Sequence, residues 1–172
     1  MRTENGMLGL STDAVFEEVR GPDVIVFPGG VGTRSLEHDE RVLEWLRAAH
    51  TGTRYATSVC TGSLVLAAAG LLEGKTATTH WSCTGELAAH GVIPVRERVV
   101  EHPGDRIMTA AGVSAGIDMA LRLVELLHDR TAAEAAQLMI EYDPQPPFDR
   151  GSLHKSDDVV LTRVIEYAAS RD

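Results

Sequence analysis

One cysteine stands where a nucleophile would have to stand. In the run Arg54-Tyr55-Ala56-Thr57-Ser58-Val59-Cys60-Thr61-Gly62-Ser63-Leu64-Val65-Leu66-Ala67-Ala68-Ala69-Gly70, the first half is rich in strand formers and the second is small and helical. Cys60 falls at the change-over, and Gly62 and Ser63 let a helix begin close behind it. This is the pattern of a sharp strand-to-helix turn, whose better-known form carries serine between glycines. Unpaired N–H groups and the positive end of the helix dipole point back at the apex and favour the thiolate, the reactive form of the side chain. A cysteine is in general more often a small buried hydrophobe. At an elbow with these flanks, the nucleophile is the better reading.

Other residues are candidates to share that chemistry. Pro28-Gly29-Gly30-Val31-Gly32 ends an apolar run in a glycine-rich loop. It is either a tight turn that needs positive φ or a place where Gly29 and Gly30 turn backbone N–H groups towards a reacting atom. It lacks the spacing and the lysine of a dinucleotide or phosphate-binding loop. His80 and Trp81 follow a short strand, at the end of a sheet where open α/β folds place ligands, and Val31 is a further candidate lining residue. His80 reads equally well as a capping or core-satisfied imidazole. Ser114 sits at a glycine-flanked turn and reads as structural or pocket-lining, because a hairpin strand precedes it. His80 and Cys83 lie three apart, but no second pair stands at zinc spacing, so no metal site is expected. Cys83 reads as an inert helix cysteine, and His38, His50, His90, His102, His128 and His154 as surface residues.

The elements that must position these residues follow from the apolar patterning. Asp23-Val24-Ile25-Val26-Phe27, bounded by turn residues, suits a buried parallel strand. Upstream, Met7, Leu8 and Leu10 suit a surface hairpin strand, and 13–16 a turn of helix. Residues 37–50 carry Val42, Leu43, Leu46 and Ala49 at helical spacing, with Trp45 at the edge. A short strand is expected at 76–79 and a helix at 82–90. Pro103-Gly104-Asp105 joins strands 98–101 and 106–109 into a hairpin. Helices follow at 117–128 and 131–142, the second opened by a Thr131–Glu134 capping box. Asp143-Pro144-Gln145-Pro146-Pro147 stops regular structure. A tail helix at 157–169 then presents Val160, Leu161, Val164, Ile165 and Ala168 as a docking stripe, while the Gln137–Glu141 face is solvated.

Composition narrows the class of function. The 172 residues, 44% hydrophobic, make one domain with a short appendage. A net charge of -9 argues against nucleic acid or an anionic membrane as partner. No stretch has the length of a membrane span and no apolar signal core opens the chain, while two cysteines make no disulfide framework. The reducing cytoplasm is the expected compartment.

Taken together, four segments resemble the PfpI-like branch of the class I glutamine amidotransferase-like superfamily, and within it the isonitrile (isocyanide) hydratases. They are Val26-Phe27-Pro28-Gly29-Gly30, Ser58-Val59-Cys60-Thr61-Gly62-Ser63, Ala77-Thr78-Thr79-His80-Trp81 and Gly112-Val113-Ser114-Ala115-Gly116-Ile117-Asp118. The run Leu138 to Asp149 is similar to the end of that family's domain, and the resemblance covers residues 5–152. It implies residues 1–152 as the domain and 153–172 as a helical tail. The implied fold is an α/β, flavodoxin-like three-layer sandwich with a mostly parallel sheet and a cysteine elbow. The implied partners are a small-molecule substrate and a second copy in a homodimer, without cofactor. The implied reaction is attack by Cys60 on the terminal carbon of an isonitrile, with Thr61 as its hydrogen-bonding neighbour. Backbone N–H groups of Gly30 and of Thr61 or Cys60 would steady developing charge.

The chain departs from that pattern at its start. The family places a strand, a helix and a second strand ahead of the segment matching residues 6–27, and its first turn supplies an acidic partner for the cysteine. Glu4, Asp13, Glu17 and Glu18 belong to a different element. The expectation is a late start at Met1 within a longer reading frame, or loss of the N-terminal unit with partner contacts replacing its strand. The rival enzyme readings are glyoxal hydration and peptidase action. The rival of another class is a non-catalytic sensor like the ligand domain of AraC-type regulators.

Overall fold

The apolar run after Asp23 forms strand β1 (Val24–Phe27), and the run before the elbow forms β2 (Tyr55–Val59). They join β6 (Ile107–Ala110) and β5 (Val99–His102) in a four-stranded sheet of order β1-β2-β6-β5. β1, β2 and β6 run parallel, and β5 returns antiparallel to β6 as the Pro103-Gly104-Asp105 turn requires. The chain is therefore an α/β protein with a mixed, mostly parallel sheet. The computed structural model describes residues 7–169, so Met1 and Glu4 lie outside the described residues.

Alternation along the strands divides the core. Ile25, Phe27, Ala56 and Ile107 meet Leu43 and Leu46 of α2 (Glu40–His50), Leu64 to Ala67 of α3 (Gly62–Ala68) and Leu87 of α4 (Thr84–Ala89). Residues of the opposite parity, Met108 and Ala110, meet Ala115 and Met119 of α5 (Ala115–Leu127). That second face is covered over β6 and bare over β1, where Val26 is 55% exposed. Among the described residues no strand pairs with the outer edge of β1. A groove of about 900 Å³ runs along it, lined by β1, the following glycine loop, Phe16, Val19 and Trp45. Trp45 donates its indole N–H to Val19 O at 2.7 Å and meets the Phe16 ring at a tilt of 42°.

Several elements differ from expectation, each for a local reason. The helix expected from residue 37 starts three residues later as α2, opened by Asp39, whose side chain accepts the Arg41 N–H, and an unexpected one-turn α1 (Thr33–Leu36) precedes it. The strand at 76–79 is only β3 (Thr76–Ala77), paired in parallel with β4 (Ile93–Pro94), which is too short to show periodicity. Residues Met7 to Leu10 contain an isolated bridge at Gly9 and no strand. Helix α6 (Arg130–Met139) opens on Asp129, whose carboxylate accepts the Ala132 N–H at 2.8 Å, so Thr131 lies inside it and makes no capping box. Three histidines expected at the surface are half-buried: His50 ends α2, His90 pairs with Glu37, and His102 binds Thr76 O at 2.7 Å.

The chain divides into two compact units, Met1–Ala136 and Gln137–Asp172. In the second, the Asp157 carboxylate accepts the Val160 N–H to start α7 (Asp158–Ala169), and Arg150 pairs with Asp157.

Candidate active site

Strand register builds the site. Phe27 lies level with Ser58, and Val59 with Ala110, so the chain after β1 and the chain after β6 flank the residue after β2. That residue is Cys60, at φ 57, a left-handed conformation a non-glycine residue adopts at a cost of about 1–3 kcal/mol. The fold enforces it from both ends. Cys60 N–H is shared between Ala110 O and Ala111 O, both at 3.0 Å. Cys60 O accepts the hydroxyls of Thr79 at 3.0 Å and Ser63 at 3.1 Å. The sulfur itself makes no hydrogen bond among the described residues, and Cys60 is partly exposed.

Two glycines make the close approach. A Cβ on Gly62 would lie 2.3 Å from Phe27 O, so only glycine lets α3 start against the end of β1. A Cβ on Gly29 would lie 2.7 Å from Cys60 Cβ, so the glycine loop rests directly on the cysteine. Gly30 (φ 133) donates its N–H to Thr61 Oγ1 at 2.9 Å, and that hydroxyl lies 3.2 Å from Gly30 O. The Gly30 N–H, expected to face a reacting atom, is thus committed to Thr61, and the Cys60 N–H to the carbonyls of Ala110 and Ala111. The Thr61 N–H, next along the chain from Cys60, makes no hydrogen bond among the described residues.

His80 follows Thr79 and closes the other side. A Cβ on Gly112 would come within 3.0 Å of the His80 ring, so the turn after β6 is open just where the imidazole packs. Ser82 N–H donates to His80 Nδ1 at 3.4 Å, a contact that suits a neutral ring, and Ser82 Oγ lies 2.7 Å from the same nitrogen. Burial pushes the His80 pKa below its ordinary value, favouring that neutral ring. Trp81 lies tilted beside it, ring centres 5.4 Å apart, and is 39% exposed, and Val31 on the loop is 64% exposed. Ser114 lies elsewhere in chemistry: its Oγ accepts from Arg98, which is held by Asp118 at 2.5 Å. Cys83, expected on a helix and inert, is buried at the end of a 3-10 turn (Trp81–Cys83), with the Arg34 guanidinium 3.4 Å from its sulfur. Among the described residues no three His, Cys, Asp or Glu side chains converge as metal ligands do.

The structure therefore gathers Cys60, Thr61, Gly29 and Gly30, with His80 behind them. It adds residues the sequence did not single out: Thr79, Arg34 and the carbonyls of Ala110 and Ala111. Thr79 alone left a trace, as the hydroxyl residue before His80. The others depend on strand register and on a contact between residues 49 positions apart.

The model of the DJ-1/PfpI family matches residues 1–126. Isonitrile hydratase of Pseudomonas putida is 44% identical over 167 residues, 97% of this chain and 72% of that protein. The HTH-type transcriptional regulator GbdR of Pseudomonas aeruginosa is 31% identical over 137 residues, 79% of this chain but 37% of the regulator. Among solved structures, a THiJ/PfpI family protein from Pseudomonas syringae superposes with TM-score 0.89 at 43% identity, over 98% of this chain and 69% of that one. Drosophila melanogaster DJ-1beta superposes with TM-score 0.69 at 24% identity, over 77% of this chain and 72% of that one, a likeness of fold.

Proposed function

The chain belongs to the DJ-1/PfpI family, and within it we propose that it hydrates isonitriles to N-substituted formamides through Cys60. The Cys60 sulfur bonds to the terminal carbon of the isonitrile while its proton passes to that carbon, giving a thioimidate. Water then adds to the same carbon, the carbon–sulfur bond breaks, and the thiol and a formamide are released. Covalent attack divides one hard hydration into two easier steps and needs no cofactor. The Thr61 N–H steadies charge on the adding groups, and the neutral His80 ring, with Trp81 and Val31, lines the approach.

The observation that carries this reading is the elbow itself: a cysteine at φ 57, its sulfur without a partner, pressed against Gly29. Identity of 44% to a named isonitrile hydratase over nearly the whole chain supports the choice of substrate. Around this site we read a flavodoxin-like three-layer sandwich, acting in the cytoplasm as a homodimer; no described helix is long and apolar enough to cross a membrane. Exposed Val113 and Ile117 at the start of α5 support a second copy as partner.

Incubation with cyclohexyl isocyanide, followed by formamide NMR, tests the reading. Turnover in the wild type that vanishes in Cys60→Ala is the expected result. The 31% identity to a transcriptional regulator favours ligand sensing as the second reading. Saturable binding of the isonitrile with no formamide would select it.

A further inference from the structure

The two walls of the site are joined behind the cysteine by one side chain. On the first wall, Thr33 opens α1 by donating both its N–H (3.2 Å) and its hydroxyl (2.8 Å) to Gly30 O, the residue that holds the Thr61 hydroxyl. Arg34 is the next residue, and its N–H bonds Val31 O of the same loop at 3.2 Å. Its guanidinium leaves this wall altogether. It grips Glu86 of α4 with both terminal nitrogens, at 2.8 and 3.2 Å, and donates to the buried Cys83 sulfur at 3.4 Å.

Cys83 belongs to the second wall. Its N–H bonds His80 O at 2.9 Å, and its sulfur lies 3.4 Å from Ser82 Oγ, which lies 2.7 Å from His80 Nδ1. The clasp is backed by Glu37, only 10% exposed, which lies 3.7 Å from Arg34 Nη1 and bonds His90 at 3.1 Å. The Cys83 contact above all, then Glu86 and Glu37, holds the guanidinium above its ordinary pKa, although burial opposes this.

We propose that Arg34 is a positioning residue: by tying α1 to the Trp81–Cys83 turn, it fixes the gap between the glycine loop and His80 and so sets the reactivity of Cys60. The proposal rests on Cys60 being the reactive thiol, and not on the identity of the substrate. A planar fork suits this task because it holds a carboxylate and a third acceptor at once in one geometry.

The test separates position from charge. Arg34→Ala removes a positive charge and Glu86→Ala a negative one, so a field acting through space would move the midpoint of Cys60 alkylation in opposite directions. Loss of the clasp would move it the same way in both. The experiment follows iodoacetamide labelling of Cys60 by peptide mass spectrometry from pH 5 to pH 10, on the full chain, with thermal melting of each variant. Arg130→Ala, which breaks an exposed ion pair with Glu134, is the control. The expected result is a higher midpoint and slower labelling at pH 7 in both clasp variants, by about tenfold to a hundredfold, with the control unchanged. Should Arg34→Ala fail to fold, Arg34→Lys replaces it, keeping the charge without the fork, and the same shift is expected. Midpoints that move oppositely, or not at all, overturn the proposal alone. A wild-type Cys60 that resists labelling overturns it together with the reading of the site.

Discussion

Cys60 keeps its unusual backbone because five groups hold it: two carbonyls on its N–H, and two hydroxyls and the Ser63 N–H on its carbonyl. Its neighbours have correspondingly little latitude. Gly62→Ala would drive a methyl group into Phe27 O at 2.3 Å, backbone that cannot step aside. A loss of about 3 kcal/mol is expected, as for other overpacked sites, read from urea unfolding. Thr61 is a different case, since its value lies in a hydroxyl that meets both the N–H and the carbonyl of Gly30. Thr61→Val keeps the shape and orphans that N–H, so a loss of about 1–2 kcal/mol should come with a fall in kcat. Thr61→Ser should retain both, and steady-state kinetics alongside unfolding curves checks the pair.

At the scale of elements, what the sequence made legible was whatever carried its own boundary. β1 is an apolar run between Pro22 and Pro28, the β5–β6 hairpin has Pro103 and Gly104, and the elbow has Gly62 behind Cys60. Elements of two to four residues, α1, β3 and β4, have no period to read. The site was legible as a cysteine elbow beside a glycine loop. Its hydrogen bonding was not, because the donors of Gly30 and Cys60 are assigned by register and by a threonine hydroxyl. One long-range clamp was equally hidden. Arg106, at the hairpin and at φ 59, donates to the carbonyls of His50, Thr51 and Thr53 and so closes the end of α2. It also has a consequence for acid stability. Burial first, and Arg106 next, hold the His50 pKa below the ordinary histidine value of 6.5; burial does the same to His80. Above that pH both the folded and unfolded chains carry neutral rings. Below it the unfolded chain takes up protons first, so stability falls with acid until the folded-state values are passed. Melting temperature should therefore drop between pH 7 and pH 5, and His50→Gln should flatten part of that slope.

For the whole molecule, the feature that matters most is the β1 rim of the sheet, where the described residues supply no further strand. Along Val24 to Phe27, an apolar strand with Val26 half out in solvent, no strand among the described residues takes the outer edge, and a net charge of -9 only partly discourages contact between copies. Light scattering should show an apparent mass rising with concentration. Val26→Lys, which places a charge on that rim, should suppress the rise and leave the melting temperature nearly unchanged. The two ends of the strand order are not alike: β1 has a parallel neighbour and β5 an antiparallel one. A β1 rim that meets its own kind makes a closed couple and stops growing. A β1 rim that meets β5 leaves a fresh β1 at the far side, and the array has no last member. Whether a concentrated solution stays clear or turns to gel is thus decided by which rim the first collision finds.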